Sequence, residues 1–268
     1  MNQPIDALRA GLSPLPVAPA ARRRHAVVVG GAGPLGGAVL EQALGAGAFA
    51  HVSALVVQPV DVALRGLDAV CVPPGLDQAP AFADRPDTAL VVFDRERSFH
   101  GREAAFLRPE AARLPELARW LQQAGVRWLL IVLPHAPALL PQALKAGLAS
   151  LDEQSVASLD FEQLVFVRPA RQAGDGPDAA GGLHRVARAL LAQLHWMIPQ
   201  REQPLRPARV AQFVIELARA LPSARPGTRV APPELLWDWA QPDGGEPVLE
   251  AWLAGLARES TARPRTRW

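Results

Sequence analysis

Residues 27–40 read VVVGGAGPLGGAVL, an apolar run that breaks into glycines and resumes with helical spacing. The preceding HAVVV has the continuous apolar, β-branched character of a strand buried on both faces. Beyond the glycines, Leu35, Val39 and Ala43 share one helix face. Pro34 suits a first helical turn, where its missing N–H would have no intrahelical acceptor. Gly30, Gly33 and Gly36 give the spacing G-x-x-G-x-x-G, with Gly31 inside it. Glycine is needed where a turn takes positive φ, where backbone must approach a pyrophosphate, and where a helix packs closely on a strand. The free N–H groups and dipole of the helix then face an anion. The stretch therefore predicts a cradle for dinucleotide phosphates made of Gly30, Gly31, Gly33, Pro34, Leu35 and Gly36. The bland alternative is a tight strand-to-helix turn that holds nothing. At the end of the next strand an acid would take the ribose hydroxyl or an arginine the extra phosphate. The chain offers Gln58, then Pro59, with Asp61 beyond, so Gln58 joins the candidate cofactor residues and NADP and NAD stay equally open.

From His25 onward, strand-like and helix-like segments alternate, the pattern of a parallel sheet covered by helices. HVSALVVQ, LDAVCVP, DTALVVFD, VRWLLIVLP and FEQLVFVRPA read as strands. REAAFLRPEAARLPELARWLQQAG reads as one helix disturbed by Pro109 and Pro115, and APALLPQALKAGLASLDEQSVASL as a second long helix. GGLHRVARALLAQLHWMI, PARVAQFVIELARALPSA and EPVLEAWLAGLARES are amphipathic helices. The fold expected is α/β, a Rossmann-like doubly wound parallel sheet with a small helical C-terminal region. Its expected divisions are a flexible N-terminal arm over 1–24, an NAD(P)-binding domain over 25–235 with its substrate lobe at about 170–235, and a C-terminal helix with a basic tail over 236–268. Arg22–Arg24 reads as a solvated charge cluster ahead of the first strand, with contact to phosphate or an acidic partner as the alternative.

A balance of 28 basic against 26 acidic residues gives no nucleic-acid-binding field. One cysteine, Cys71, excludes an internal disulfide framework and fits a reducing compartment. Set in the apolar run DAVCVP, it reads as a buried, inert thiol. No run of eighteen apolar residues is present and the first residues do not form a signal peptide, so no membrane association and a cytoplasmic location are expected. The six histidines are scattered, which predicts no metal site.

VVVGGAGPLGGAVL, the pair ELARWLQQAGVRWLLIVL, and DFEQLVFVRPA with its Arg168-Pro169 together resemble the atypical short-chain dehydrogenase/reductases. The similarity is to the small NAD(P)H-binding group that includes the Tat-interacting-protein-like oxidoreductases, and it covers roughly residues 25–235. The resemblance implies a nicotinamide cofactor and a proton relay built from a Tyr, a Lys one helical turn on, and a Ser ending the fifth strand. Counting back from Arg168, the tyrosine position falls near Lys145, the lysine position near Ala149, and the serine position on Leu133 or Pro134. The chain contains no tyrosine at all, so the family's proton donor is absent and only Gly30, Gly33 and Gly36 carry over.

A substitute relay is conceivable from His135 beyond the fifth strand as general acid, Lys145 lowering its pKa, and Asp94 at the end of the fourth strand orienting it. The competing reading of His135 is a loop histidine between Pro134 and Pro137. Trp237, Trp239 and Trp252 read as filling of the C-terminal region, with a cleft cap or contact surface as alternative. Three functions stay open. The first is an NAD(P)-binding protein without the family's catalysis, acting as redox-cofactor sensor or assembly partner. The second is an NAD(P)H-dependent oxidoreductase using non-standard residues, and the third a ligand-free scaffold. The partners expected are the dinucleotide and an unidentified small molecule or protein; a homo-oligomer through the tryptophan-bearing region is a further candidate.

Overall fold

The computed structural model describes residues 24–60, 64–72, 76, 82–94, 101–134, 150–170 and 204–256. His135, Lys145, the helix expected after residue 180 and most of the two terminal segments lie outside the described residues.

Seven strands form one all-parallel sheet: β1 His25–Val29, β2 His51–Val56, β3 Leu67–Cys71, β4 Thr88–Val92, β5 Trp128–Val132, β6 Gln163–Val167 and β7 Gly227–Ala231. Their spatial order is β3-β2-β1-β4-β5-β6-β7. Helices cover both faces: α1 Gly33–Gly45, α2 Leu114–Ala124, α3 Leu151–Ala157, α4 Pro207–Ala220, α5 Pro233–Trp239 and α6 Glu246–Leu253. This is the α/β, Rossmann-like doubly wound architecture.

Strand periodicity divides the core in two. Ala26 and Val28 of β1, with Leu90 and Val92 of β4, point into the layer shared with α1, α4, α5 and α6. Val27, Val29, Ala89 and Val91 point into the layer shared with α2 and α3. Both faces are therefore apolar, which is why the central strands read as unbroken hydrophobic runs. On α2, Leu114, Leu117, Ala118, Leu121 and Ala124 form one buried stripe, each leucine contributing roughly 1.5–3 kcal/mol of transfer free energy. The helix stops at Gly125, whose φ of +106° lets its N–H fold back onto the carbonyls of Leu121 and Gln122.

Several elements differ from the sequence reading. The long helix expected across residues 102–125 is a 3-10 turn over Gly101–Ala105, an extended segment and a second 3-10 turn over Ala111–Arg113, with α2 beginning only at Leu114. Proline explains the split: Pro109 forces the residue before it out of the helical region, whereas Pro115 sits in a first turn where it is tolerated. The second long helix is likewise interrupted, since Ser150 is extended (φ −138°, ψ 163°) and caps α3 by accepting from the Glu153 N–H at 3.1 Å. β7 has no counterpart in the sequence reading. Cys71, expected to be buried, is exposed, because β3 is an outer strand of this sheet and an apolar run does not announce which strand lies there.

Arg24 is not a solvated charge. Its guanidinium donates to the Ala218 carbonyl (2.8 Å) and the Thr88 hydroxyl (2.9 Å) and lies over the rings of Phe49 and Trp128. In the C-terminal region Trp239 is buried, edge-to-face with Phe213, and donates to Glu216 at 3.1 Å. Trp252 packs against the same apolar layer. These two indoles fill space between helices and the sheet.

Candidate functional site

The sheet's strand order reverses between β1 and β4, because the chain builds outward through β2 and β3 before returning to β4 on the other side of β1. In open α/β sheets ligands bind outside the carboxyl ends of the strands at such a switch point. The glycine turn occupies that position, leaving β1 and entering α1.

Each glycine of the spacing has a geometric reason. Gly30 and Gly33 take φ of +81° and +80°, conformations that side chains oppose. Gly36 is conventional in φ but a Cβ there would lie 1.8 Å from the Gly30 carbonyl oxygen, so its lack of a side chain sets how closely α1 approaches β1. Ala32 at the N-cap has no side chain able to accept from the first turn.

The Asp94 carboxylate fills that vacancy. From the end of β4, its Oδ2 accepts from the N–H of Leu35 at 2.7 Å and of Gly36 at 3.1 Å. Two amides expected to face a phosphate thus hold an anion that the chain itself supplies. His135 and Lys145, the partners of Asp94 in the substitute relay, lie outside the described residues.

A second group closes the crevice. Residues 105–107 run antiparallel to the end of β2, with Phe106 bridging Val56. The Leu107 carbonyl accepts from Gly30 (3.0 Å), Leu107 donates to Leu55 (2.8 Å), and Val57 donates to Ala105 (2.7 Å). The Phe106 ring comes within 3.1 Å of where a Cβ on Gly31 would stand. Between Gly30, Ala32, Asp94, Phe106, Leu107 and Pro109 there remains a cavity of about 10 Å³, the room one water needs. Gln58 stands exposed just past β2, next in sequence to Val57, which bonds this segment.

At the fifth strand's end the serine position of the resemblance is Leu133 and Pro134, and Leu133 donates to the Val167 carbonyl at 2.8 Å. Arg168, the sequence's anchor for the resemblance, is 2% exposed and donates to Glu153 on α3 at 2.7 Å. Glu153 was not singled out by sequence, although Ser150 and Glu153 have capping-box spacing; the glutamate turns to Arg168 instead of back to the helix start.

A serine–histidine contact exists at the opposite, N-terminal end of the sheet. His25 stands 2.8 Å from the Ser53 hydroxyl through Nε2 and 2.8 Å from the Asp84 carbonyl through Nδ1, and both side chains are buried. The ring meets His51 edge-to-face, and His51 in turn bonds Asp68 at 2.7 Å. Burial above all, then the neighbouring His51, pulls the His25 pKa below the ordinary 6.5, against the opposing pull of the Asp84 carbonyl and the Asp84 and Asp87 charges. Between that depressed value and 6.5 the unfolded chain binds more protons than the folded one. Stability contributed by neutral His25 is thus fully present above pH 6.5 and is lost as pH falls through the folded value. Urea unfolding at pH 5.0 and 7.5 should show this loss, and His25→Gln should flatten it.

Among the described residues no group of His, Cys, Asp and Glu is arranged to hold a metal ion, and no helix is long and apolar enough to cross a membrane. No protein-family model matches the chain, and no curated protein is significantly similar to it.

Proposed function

We propose that this chain is an NAD(P)-binding protein of the atypical short-chain dehydrogenase type that works without the Tyr-Lys proton relay, as a redox-cofactor sensor or an assembly partner. The observation that carries this reading is the pair of α1 amides, Leu35 and Gly36, converging on an anion at the switch point of the sheet. A phosphate asks for the same donors, the same helix dipole and the same glycine-permitted approach. The missing tyrosine argues for binding over proton transfer.

The segment 105–107 favours a second reading, a ligand-free scaffold, since its backbone bonds occupy Gly30 and leave space for one water. A thermal shift separates the two. A ligand that binds only the folded state at a hundredfold excess over its Kd stabilises by about 2.7 kcal/mol, several degrees of Tm for a chain of this size. NADH or NADPH should produce such a rise, and copurifying nucleotide would strengthen the case. A flat response to both at millimolar concentration would leave the scaffold.

A further inference from the structure

Asp94 reaches the glycine turn across 59 positions of sequence to bond Leu35, and it brings the one chemical feature a dinucleotide's phosphate would bring: a negatively charged oxygen acceptor. The backbone of 105–107 supplies a neutral acceptor, the Leu107 carbonyl, to the neighbouring donor Gly30, and lies along the end of β2, where the ribose of a bound dinucleotide is recognised in this architecture. We propose that Asp94 and residues 105–107 form an intramolecular lid that holds the crevice closed, and that a dinucleotide is admitted only by exchanging with both. The inference rests on the reading of the crevice as a nucleotide site.

The lid is built to be displaced. Of its three residues only Ala105 is buried; Phe106 and Leu107 are partly exposed and touch opposite layers of the core from the rim. The backbone bonds of Gly30, Leu55 and Val57 to the segment are made at the C-terminal ends of β1 and β2, beyond the last β1–β2 pair, Val28 with Ala54, while Leu55 keeps its pairing with Val70 of β3. A segment with little buried apolar surface opens at low cost compared with global unfolding. The sheet and α1 need not move for the exchange, because the cradle's glycine geometry is already present under the lid: Gly30 and Gly33 are left-handed and Gly36 sits against Gly30.

Closure also sets the strength of binding. When the competent form is a fraction of the population, apparent affinity falls by that fraction, so a lid closed about 90–99% of the time weakens binding about ten- to a hundredfold. Asp94→Asn keeps the shape of the side chain but removes its charge, and the expected result is a ten- to hundredfold lower Kd for NADH or NADPH. Phe106→Ala loosens the other half of the lid and is expected to lower Kd as well, by a smaller factor.

The experiment titrates wild type, Asp94→Asn and Phe106→Ala with NADH and with NADPH by calorimetry, after melting curves establish that each variant is folded. Amide exchange of Gly30, Leu35 and Gly36 is followed in parallel, and these amides should exchange faster in Asp94→Asn than in wild type and regain protection with nucleotide. Tighter binding with faster apo exchange supports the lid. Equal Kd values in all three proteins overturn the lid while leaving the nucleotide reading intact. Absence of binding to any of the three folded proteins overturns both.

Discussion

Gly36→Ala is expected to cost about 3 kcal/mol or more, as overpacking against a backbone that cannot yield, whereas Gly37→Ala, the next residue of the same helix, is expected to stabilise by roughly 0.5–1 kcal/mol. The opposite signs follow from geometry. A Cβ at Gly36 would lie 1.8 Å from the Gly30 carbonyl oxygen and 2.9 Å from its carbon, so either α1 lifts from the sheet or the turn deforms. At Gly37 the nearest atom is 3.9 Å away, ordinary contact distance, and the substitution only removes freedom from the unfolded chain. Urea denaturation of both variants checks the pair. Similar small effects at the two positions would mean that α1 does not approach β1 as closely as described.

Arg168→Met is expected to lower stability by about 3–5 kcal/mol, the cost of breaking a buried ion pair from one side. The guanidinium is among the largest fully buried side chains of the fold and sits where β6 ends, bonded to Glu153 at 2.7 Å with side-chain exposures of 2% and 9%. Removing the cation leaves the carboxylate in a site that was shaped for the pair. Replacing both, as Arg168→Met with Glu153→Leu, should recover a substantial part of the loss, because burial of apolar side chains of similar volume requires no compensation of charge. The double-mutant cycle measures that coupling directly. Additive losses would show that the two residues act separately.

What the sequence made legible was local. β1, β4, β5 and β6 are buried along their whole length, so an unbroken apolar run was a sufficient sign of each. β7, by contrast, is GTRVA with only its last residue buried, and neither alternation nor hydrophobicity marks it. The glycine turn was legible for the same reason as the strands, since positive φ at Gly30 and Gly33 is a property of the turn itself. The occupant of the turn was not. Asp94 lies 59 positions from Leu35, and a lone acid after a strand has no spacing that points to the glycine turn. The covering segment 105–107 is too short to show strand periodicity, and only the nearby Pro109 marks a disturbance of the helix expected there.

Ala32 has a meaning for how the molecule assembles. A helix whose N-cap offers no acceptor cannot complete its own first turn, and here the missing acceptor arrives with a strand made much later in the chain. While β1, α1 and β2 alone have formed, the glycine turn is an unfinished end with amides facing water. Its first-turn amides acquire a protein acceptor only when β4 docks beside β1 and delivers Asp94. The crevice is therefore a product of long-range assembly, and the order in which strands join the sheet decides when the protein first possesses it.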